Sequence, residues 1–517
     1  KLVEQDPRDE PASELLKRIQ VERERQSIEG AVRKSRSDSR VDVDEIPFEL
    51  PKSWARSSLG EVARYGISGK IDSNKEVSAN TWVLDLEDIE KGSSRLLERV
   101  LSSSRPFQSS KTRFNKGDVL FGKLRPYLNK VLVADTDGVC TTEIVPVRGY
   151  CGMVPEYIRL VLKSPLTMKR VDRLMYGMKM PRLGTNDALA LNFPLPPLIE
   201  QHRIVAKVDE LMALCDRLEA TQMERESRRD RLVASSLNRL NNGADPDAFR
   251  DHARFYFNCL PRLTTRHEHI EQIRQTILNL AVRGQLVPQD PNDEPASELL
   301  ERIKVEKSRL VKEGTLARQK LVSSEPKELA FDCPMNWQEM NFNDVCSLVT
   351  SGSRGWAEFY SETGPKFIRA QNIRFGRLRL EDLACVSLPK KAEGTRTQVS
   401  KGDLLIVITG AGVTNPAMLD HELGEAYVSQ HVALIKPTTT SLSRWLLLCL
   451  MAPVGARAEL VERAYGAGKP GLNLDNIRFL RIPLPPLAEQ QRIVAKVDEL
   501  MALCDRLEAQ LTNTHTE

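Results

Sequence analysis

Apolar residues alternate at spacings of four and three along Ile204, Val208, Leu211, Cys215 and Leu218, the a/d seam of a helix that needs a partner helix. The same seam returns at Ile493, Val497, Leu500, Cys504 and Leu507. The first of these helices is predicted to continue through the charge-dense stretch Glu224 to Arg231, with Leu232, Val233, Leu237 and Leu240 behind it. It should stop near Asn242-Gly243, after roughly 40 residues or roughly 60 Å. A second helix is predicted from the capping-box pattern Thr265-x-x-Glu268, through Ile270, Ile273, Ile277 and Leu280, to Gly284. An antiparallel pair is the economical arrangement of the two. A third helix is predicted over Pro295 to Glu313, closed by Gly314, with a counterpart over Pro11 to Glu29 closed by Gly30. The seam cysteines Cys215 and Cys504 read as small buried apolar residues.

Between the helices the pattern changes. Asp118–Phe121, Val131–Val133, Leu404–Ile408 and Val432–Ile435 are short apolar runs that read as buried strands, whereas Tyr157 to Met175 and Ser441 to Ala464 read as helices. The globular parts are therefore mixed α/β.

These parts are copies of one plan. Leu2 to Ile19 recurs at Leu286 to Ile303 with 15 of 18 positions identical, and Pro194 to Ala220 recurs at Pro483 to Ala509 with only Ile199/Ala488 and His202/Gln491 differing. In between, a fainter skeleton survives: Phe48, Pro51 and Trp54 match Phe331, Pro334 and Trp337, Lys116-Gly117-Asp118 matches Lys401-Gly402-Asp403, and Gly177 and Pro181 match Gly466 and Pro470. Near-identical helices with divergent globes imply a shared partner at the helices and different targets at the globes. By this offset the helix at Thr264 to Gly284 should have a counterpart upstream of Lys1, and without it the C-terminal helix is expected to lack the intrachain mate of its twin.

Length agrees with a modular chain, since 517 residues exceed a single hydrophobic core. The net charge of +4 excludes a general polycation, but 28% charged residues leave room for local basic faces. Nine cysteines without a Cys-x-x-Cys pair argue against a secreted disulfide scaffold and a zinc ribbon, and point to a reducing cytoplasm. No uncharged apolar run reaches the length of a membrane span, and no signal-peptide pattern opens the chain.

Basic charge is concentrated in the globes. Lys111 to Val131 sets six cations against Asp118, and Pro365 to Leu380 carries five cations and no acid, so each is +5. Lys123, Arg125, Tyr127, Asn129 and Lys130 interleave cations with an aromatic ring and an amide, and Arg369, Gln371, Asn372 and Arg374 supply forks that fit guanine and adenine edges. The Gly-rich loops Gly177 to Asn186, with Lys179, Arg182 and Asn186, and Gly466 to Asn473, with Lys469, suit close approach to a phosphate backbone. A charged loop is also commonly just solvated, so each cluster alone is weak.

Catalytic motifs are missing. Gly117 to Leu124 nearly spells a phosphate-binding loop, but Leu124 offers no hydroxyl and Val-Leu-Phe reads as strand. Glu325-Pro-Lys327 sits in a polar linker, and His267-Glu-His269 lacks the spacing of a zinc helix. The residues describe a reader and not a catalyst, with no metal site.

The doubled PLPPLxEQxRIVAKVDELMALCDRLEA helix, the LVPQDPNDEPASELL segment after an AVRG helix end, and the KLRPY motif together resemble the DNA-specificity subunit (HsdS) of type I restriction-modification systems over essentially the whole chain. The resemblance implies a bacterial, cytoplasmic, non-catalytic subunit with two target-recognition domains, each reading half of a bipartite asymmetric site on double-stranded DNA. It also implies long antiparallel coiled-coil helices holding the domains apart, related by a pseudo-twofold repeat. Two modification (methyltransferase) subunits and two restriction (motor-endonuclease) subunits would be its partners. Those partners would use S-adenosylmethionine, ATP and Mg, with no cofactor bound by this chain. Alternatives are an assembly scaffold without sequence preference, and the recognition half of a fused methyltransferase-nuclease.

The expected division is a helical segment at 1–47, recognition domains at 48–198 and 331–487, a central helical region at 199–315, a linker at 316–330 and a final helix at 488–517. Lys123, Arg125, Tyr127, Asn129, Lys130, Lys179, Arg182 and Asn186 are expected to face one half-site. Arg354, Arg369, Gln371, Asn372, Arg374, Gln430, His431 and Lys469 are expected to face the other, although His431 also fits a satisfied core position. Gln430 and His431 align with Thr142 and Glu143, whereas the Arg369 segment shows no clear match at Trp82 to Ile89. Ile204, Val208, Leu211, Leu218, Ile493, Val497, Leu500 and Leu507 are the expected subunit-interface positions.

Overall fold

The computed structural model describes residues 2–28, 48–66, 69–242, 245–313, 329–352, 354–389, 395–465 and 470–514. They form two compact units, Lys1–Gln222 and Met223–Glu517.

In the first unit α1 (Ala12–Ile28) starts behind Pro11, a residue suited to a helix start because it has no N–H to leave unpaired. Ala12, Leu15 and Ile19 fall on one face and are fully buried. β1 (Ala55–Ser58) leads into the single turn α2 (Leu59–Val62). There follow β2 (Ala63–Tyr65), β3 (Lys70–Ile71), β4 (Trp82–Leu84), β5 (Lys111–Phe114), β6 (Val119–Gly122), β7 (Val131–Val133), β8 (Gly138–Thr141) and β9 (Ile144–Gly149). They build two four-stranded sheets, ordered β2-β9-β6-β7 and β3-β5-β8-β4, in which only β4 and β8 run parallel.

The apolar run at 119–121 has a direct cause. Val119 and Phe121 enter one core with Leu15, Ile19, Val147, Ile158 and Phe193, while Leu120 points to the other with Trp82, Phe114 and Cys140. A strand covered on both faces loses the usual polar alternation. This strand also replaces any phosphate cradle at Gly117–Leu124.

α3 (Pro155–Lys163) and α4 (Pro165–Leu174) occupy the stretch where one continuous helix was predicted. Pro165 disfavours helical backbone at Ser164, which takes φ −62°, ψ 147° and accepts from the Thr167 N–H at 3.2 Å. After the short α5 (Thr185–Leu189), β10 (Asn192–Leu195) pairs antiparallel with β1, and α6 (Leu198–Asn242) leaves the domain. Tyr157 donates to the Pro194 carbonyl at 2.8 Å, and Arg203 reaches back to Asp9 at 2.5 Å.

The second unit begins with α6 from Met223 onward and holds a helix not predicted from the sequence, α7 (Pro246–Leu263). Asp245 caps it by accepting from Asp247 and Ala248, and Tyr256 and Leu263 pack on Val233, Leu237 and Leu240. α7 carries the chain back along α6, so α8 (His267–Val282) then runs parallel to α6 instead of antiparallel. Asp230 meets His269 at 3.0 Å and Asn241 meets Asn279 at 2.7 Å, the partners advancing in the same direction. The predicted capping box at Thr265 is absent: Arg266 is the cap residue and its side chain makes no cap bond. Gly284 does end α8, at φ +70°, with Gln285 N–H bonded to the Leu280 carbonyl.

α9 (Ala296–Lys312) buries Ala296, Leu299 and Ile303. Then come β11 (Gln338–Asn341), β12 (Cys346–Ser351), β13 (Tyr360–Ile368), β14 (Ile373–Arg374), β15 (Arg377–Leu378), β16 (Ala384–Val386), β17 (Leu404–Val407), β18 (Pro416–Met418), β19 (Ala426–Val428) and β20 (Val432–Pro437). One sheet is ordered β12-β20-β17-β18 and another β16-β13-β19, with β13 and β19 parallel. α10 (Ser443–Met451) and α11 (Ala456–Tyr465) again replace one predicted helix, broken around Pro453 and Gly455. After α12 (Leu474–Arg478), β21 (Arg481–Leu484) pairs with β11 and α13 (Leu487–Thr514) closes the unit.

Local contacts of the first unit recur here. Trp445 Nε1 donates to the Pro483 carbonyl at 2.9 Å, and Arg492 reaches Asp293 at 2.6 Å. α13 does have an intrachain mate, contrary to expectation, because α8 lies antiparallel on it. Gly284 beyond the end of α8 approaches Trp337, which donates to Glu489 at the start of α13. At the other end of α8, His267 meets Glu508 at 3.3 Å, and at its middle Arg274 pairs with Asp505 and Glu508 at 2.8 and 2.7 Å.

Ile493 and Val497 are accordingly buried within the unit, and Leu500 and Leu507 partly so, which removes them as free docking positions. Ile204 is buried and Val208 partly buried against the first unit's core, whereas Leu211 and Leu218 are exposed. The two seam cysteines differ likewise: Cys504 is buried, but Cys215 is exposed, against expectation.

Candidate nucleic-acid interface

In the first unit the chain leaving β6, the turn between β8 and β9, and the loop before α5 are joined through main-chain groups. The Lys123 N–H donates to the Glu143 carbonyl at 2.9 Å, the Leu183 N–H to the Lys123 carbonyl at 3.1 Å, and the Arg125 N–H to the Pro181 carbonyl at 2.7 Å. The predicted clusters around Lys123 and Lys179 thus form one surface. Arg125 and Asn129 both adopt left-handed backbone, at φ 47° and 50°, on either side of the tight turn Pro126–Leu128. That turn presents Tyr127, 47% exposed, at its tip beside the exposed Arg125, with Lys179 and Tyr176 exposed on the neighbouring loop.

Other predicted readers are committed to protein atoms. Lys130 donates to the Leu86 carbonyl at 2.6 Å, and burial lowers its ammonium pKa. Arg182 makes two bonds of 3.1 Å to Glu143, which keep its guanidinium charge paired. Asn129 donates to the Lys163 carbonyl at 3.3 Å. Lys163 in turn holds the carbonyls of Gly92 and Ser93, and burial, with Arg159 nearby, pushes it down to about 8. These residues shape the loop. Asn186 is exposed on α5.

The second unit repeats the main-chain frame. The Ile408 N–H donates to the His431 carbonyl at 3.0 Å, and the Leu472 N–H to the Ile408 carbonyl at 2.9 Å. His431 is not a core residue: it is exposed, 2.5 Å from Thr409 Oγ1 through Nδ1 and 3.2 Å from the exposed Gln430. The Ser429 N–H bonds the Ile368 carbonyl, bringing Arg369 beside this turn, and the Gly352 N–H bonds the Val432 carbonyl, bringing the exposed Arg354 close in sequence. Lys469 lies outside the described residues.

Arg369 sits 5.9 Å from the Tyr360 ring and donates to the Asp382 carbonyl at 3.1 Å. Asn372 is buried, its amide bonded to the carbonyls of Arg379 and Asp382, so it builds the turn while Gln371 stays exposed. Arg374 bonds the Gln371 carbonyl and lines a cleft of about 950 Å³ bounded by α8, α10 and α13, away from the predicted loop role. The +5 count near 365–380 also overstates the local charge, because Glu381 and Asp382 pair with Arg379.

One candidate position escaped sequence reasoning. Trp82–Ile89 and Lys366–Ile373 are the same structure, a strand end in parallel pairing followed by a capped 3-10 turn. The Asp85 N–H donates to Asp88 at 2.8 Å, and the Arg369 N–H to Asn372 at 3.0 Å. Exposed Glu87 therefore corresponds to exposed Gln371. Only the spacing of the capping Asp or Asn from the preceding apolar pair, followed by Ile, marks this in sequence. Asp85 and Asp88 are themselves paired with Lys111 and Arg105.

A family model described as the type I restriction modification DNA specificity domain matches residues 334–514. Over 525 residues the chain is 30% identical to the type I restriction enzyme EcoAI specificity subunit of Escherichia coli, covering 98% of this chain and 87% of that protein. The chain belongs to the family of type I restriction enzyme specificity subunits. It is equally 30% identical to the EcoEI specificity subunit of Escherichia coli, over 99% of this chain and 88% of that one. Among solved structures, the HsdS subunit from Thermoanaerobacter tengcongensis is 21% identical with a TM-score of 0.48, covering 90% of this chain and 94% of that chain. In this specificity subunit the family model spans β11 to the end of α13. Among its described residues no helix is long and apolar enough to cross a membrane, and no His, Cys, Asp or Glu cluster is grouped to hold a metal ion.

Proposed function

We propose that this chain recognises a bipartite, asymmetric site on double-stranded DNA, one half through the domain at 48–198 and the other through the domain at 331–487. The observation that carries the reading is the shared main-chain frame with unlike exposed side chains. Arg125, Tyr127, Lys179 and Glu87 stand on one copy, and Arg354, Gln371, Gln430 and His431, beside the half-buried Arg369, on the other. A constant frame with variable donors and acceptors is what two readers of different sequences need. The repeated helices then act as a pseudo-twofold scaffold for two modification and two restriction subunits. Those partners supply the methyl transfer with S-adenosylmethionine and the ATP- and Mg-dependent steps, and this chain supplies none of that chemistry.

The test is to map methylated adenines in DNA from cells that express the chain with its modification partner. A split motif supports the reading, and an unsplit one overturns it. Arg125→Ala and Arg369→Ala should each relax one half of the motif only, whereas equal loss at both halves would exclude the division of labour.

A further inference from the structure

Arg396 stands in the second unit where Lys111 stands in the first. Each lies five residues before its Lys-Gly-Asp motif, and Phe114 and Val399, three residues on, are both buried. In the first unit Lys111 lies opposite Thr141 on one side of β8, and Asp85 follows the strand β4 on the other side. Lys111 closes onto Asp85 at 2.5 Å, with its side chain only 8% exposed. That cation is spent within the protein.

The equivalent of Asp85 is Arg369, which follows the parallel pairing of Ile368 with Val428 on β19. Arg396 arrives from the opposite side of β19, where Gln398 bridges Tyr427 and the Val399 N–H donates to the Ala426 carbonyl at 2.8 Å. Its Nη1 donates to Oγ1 of the buried Thr350 at 2.9 Å. Two residues after Thr350, Gly352 runs so close to the main chain of Val428 and Ser429 that any side chain there would strike it. Arg369 and Arg396 therefore border the same turn at Ser429. Among the described residues neither has an acidic partner, since Glu381 and Asp382 pair with Arg379. An ion pair in one copy has become two guanidiniums in the other.

Two guanidiniums without a carboxylate favour a ligand edge made of acceptors alone and oppose N–H donors. In the major groove only guanine offers two acceptors, N7 and O6, and no donor, and the arginine fork matches them. We propose that Arg396 is a specificity-determining residue that, together with Arg369, reads guanine in the half-site of the second unit. This deepens the DNA reading proposed above and rests on it. The first unit makes no such contact, because Lys111 and Asp85 satisfy each other.

The full chain is expressed with its modification partner, and the methylated sites are sequenced. Arg396→Ala should relax a guanine, counted on either strand, by roughly tenfold or more, in the half of the motif that Arg369→Ala also relaxes. Arg396→Lys should keep a weakened guanine preference, because an ammonium still donates to O6 or N7. Arg369→Asp with Arg396→Lys, the charge pair of the first unit, should remove the guanine and leave the other half unchanged. The proposal is overturned by a relaxed base other than guanine, or by no methylation from any of the three variants. It is overturned equally by a motif that Arg396→Ala leaves unchanged, even if methylation falls at all sites alike, as loss of a phosphate contact would give. An unsplit motif in the parent chain strikes the bipartite reading instead, and the same variants still decide whether guanine depends on Arg396.

Discussion

Glu87 occupies the position in its capped turn that Gln371 occupies in the other unit, with a carboxylate where the second has an amide. A carboxylate accepts from the cytosine amino group, whereas an amide accepts from the adenine N6 amino group and donates to N7 on the same major-groove edge, a good pair being worth about 1–3 kcal/mol of discrimination. Gln371→Glu and Glu87→Gln should each shift the preferred base at one position of one half-site, by roughly tenfold or more. Methylation-site sequencing reads this directly, and an unchanged motif in both variants would remove the turn from the reading surface.

Arg203 and Asp9 tie the start of α6 to the segment before α1, and the Asp9 side chain is only 6% exposed. Removing the cation leaves a nearly buried carboxylate alone, so Arg203→Ala should cost about 2 kcal/mol of the first unit's stability. Asp9→Ala added to it should recover part of the loss. Urea unfolding of the three variants, followed in the first unit, decides this.

Glu489 is buried, accepts from Trp337 at 3.0 Å, and leaves Oε1 and the nearby Asn336 Oδ1 without partners. Burial raises its carboxyl pKa, against the smaller opposing effect of the Trp337 bond. A raised folded-state value means that the native chain holds the proton longer, so stability falls as pH rises from the unfolded value through the folded one, and the penalty is complete above it. Glu489→Gln should therefore stabilise the chain at pH 7 by roughly 1 kcal/mol, with the advantage fading as pH falls toward 4. Thermal unfolding at the two pH values tests the sign, and an advantage that grows on acidification would refute it.

Cys215 and Cys504 share the same sequence neighbours, yet one is exposed and the other buried with its thiol pKa raised by burial. In the chain alone, Cys215 should react with a maleimide at least about tenfold faster, because reaction needs an accessible thiolate. Equal rates would mean that the α6 face is covered.

Much of this fold was legible. The repeat located α1 and α9, α6 and α13, and unbroken apolar runs located the doubly buried β6 and β17, because packing demands there are strong enough to hold residue identity or apolar character. α7 was missed although Phe249, Ala253, Tyr256 and Leu260 are helically spaced, since the Asn-Gly before it and Pro261 within it both read as chain breaks. That omission also reversed the expected direction of α8.

At the candidate site, the sequence picked residue types but not their engagements. Lys130, Arg182 and Asn372 look like free readers until Leu86, Glu143 and Asp382 are seen to hold them. Such pairings join positions 10, 39 and 44 residues apart, and no spacing rule encodes them.

The loop frame at Lys123–Glu143–Leu183, and again at Ile408–His431–Leu472, rests on main-chain hydrogen bonds, to which the Arg182–Glu143 pair adds in the first unit and the Thr409–His431 contact in the second. Peptide groups are the same whatever side chain they carry, so the frame sets almost no price on substitution at its tips. An exposed tip such as Tyr127 can therefore be exchanged one residue at a time without loosening those main-chain bonds.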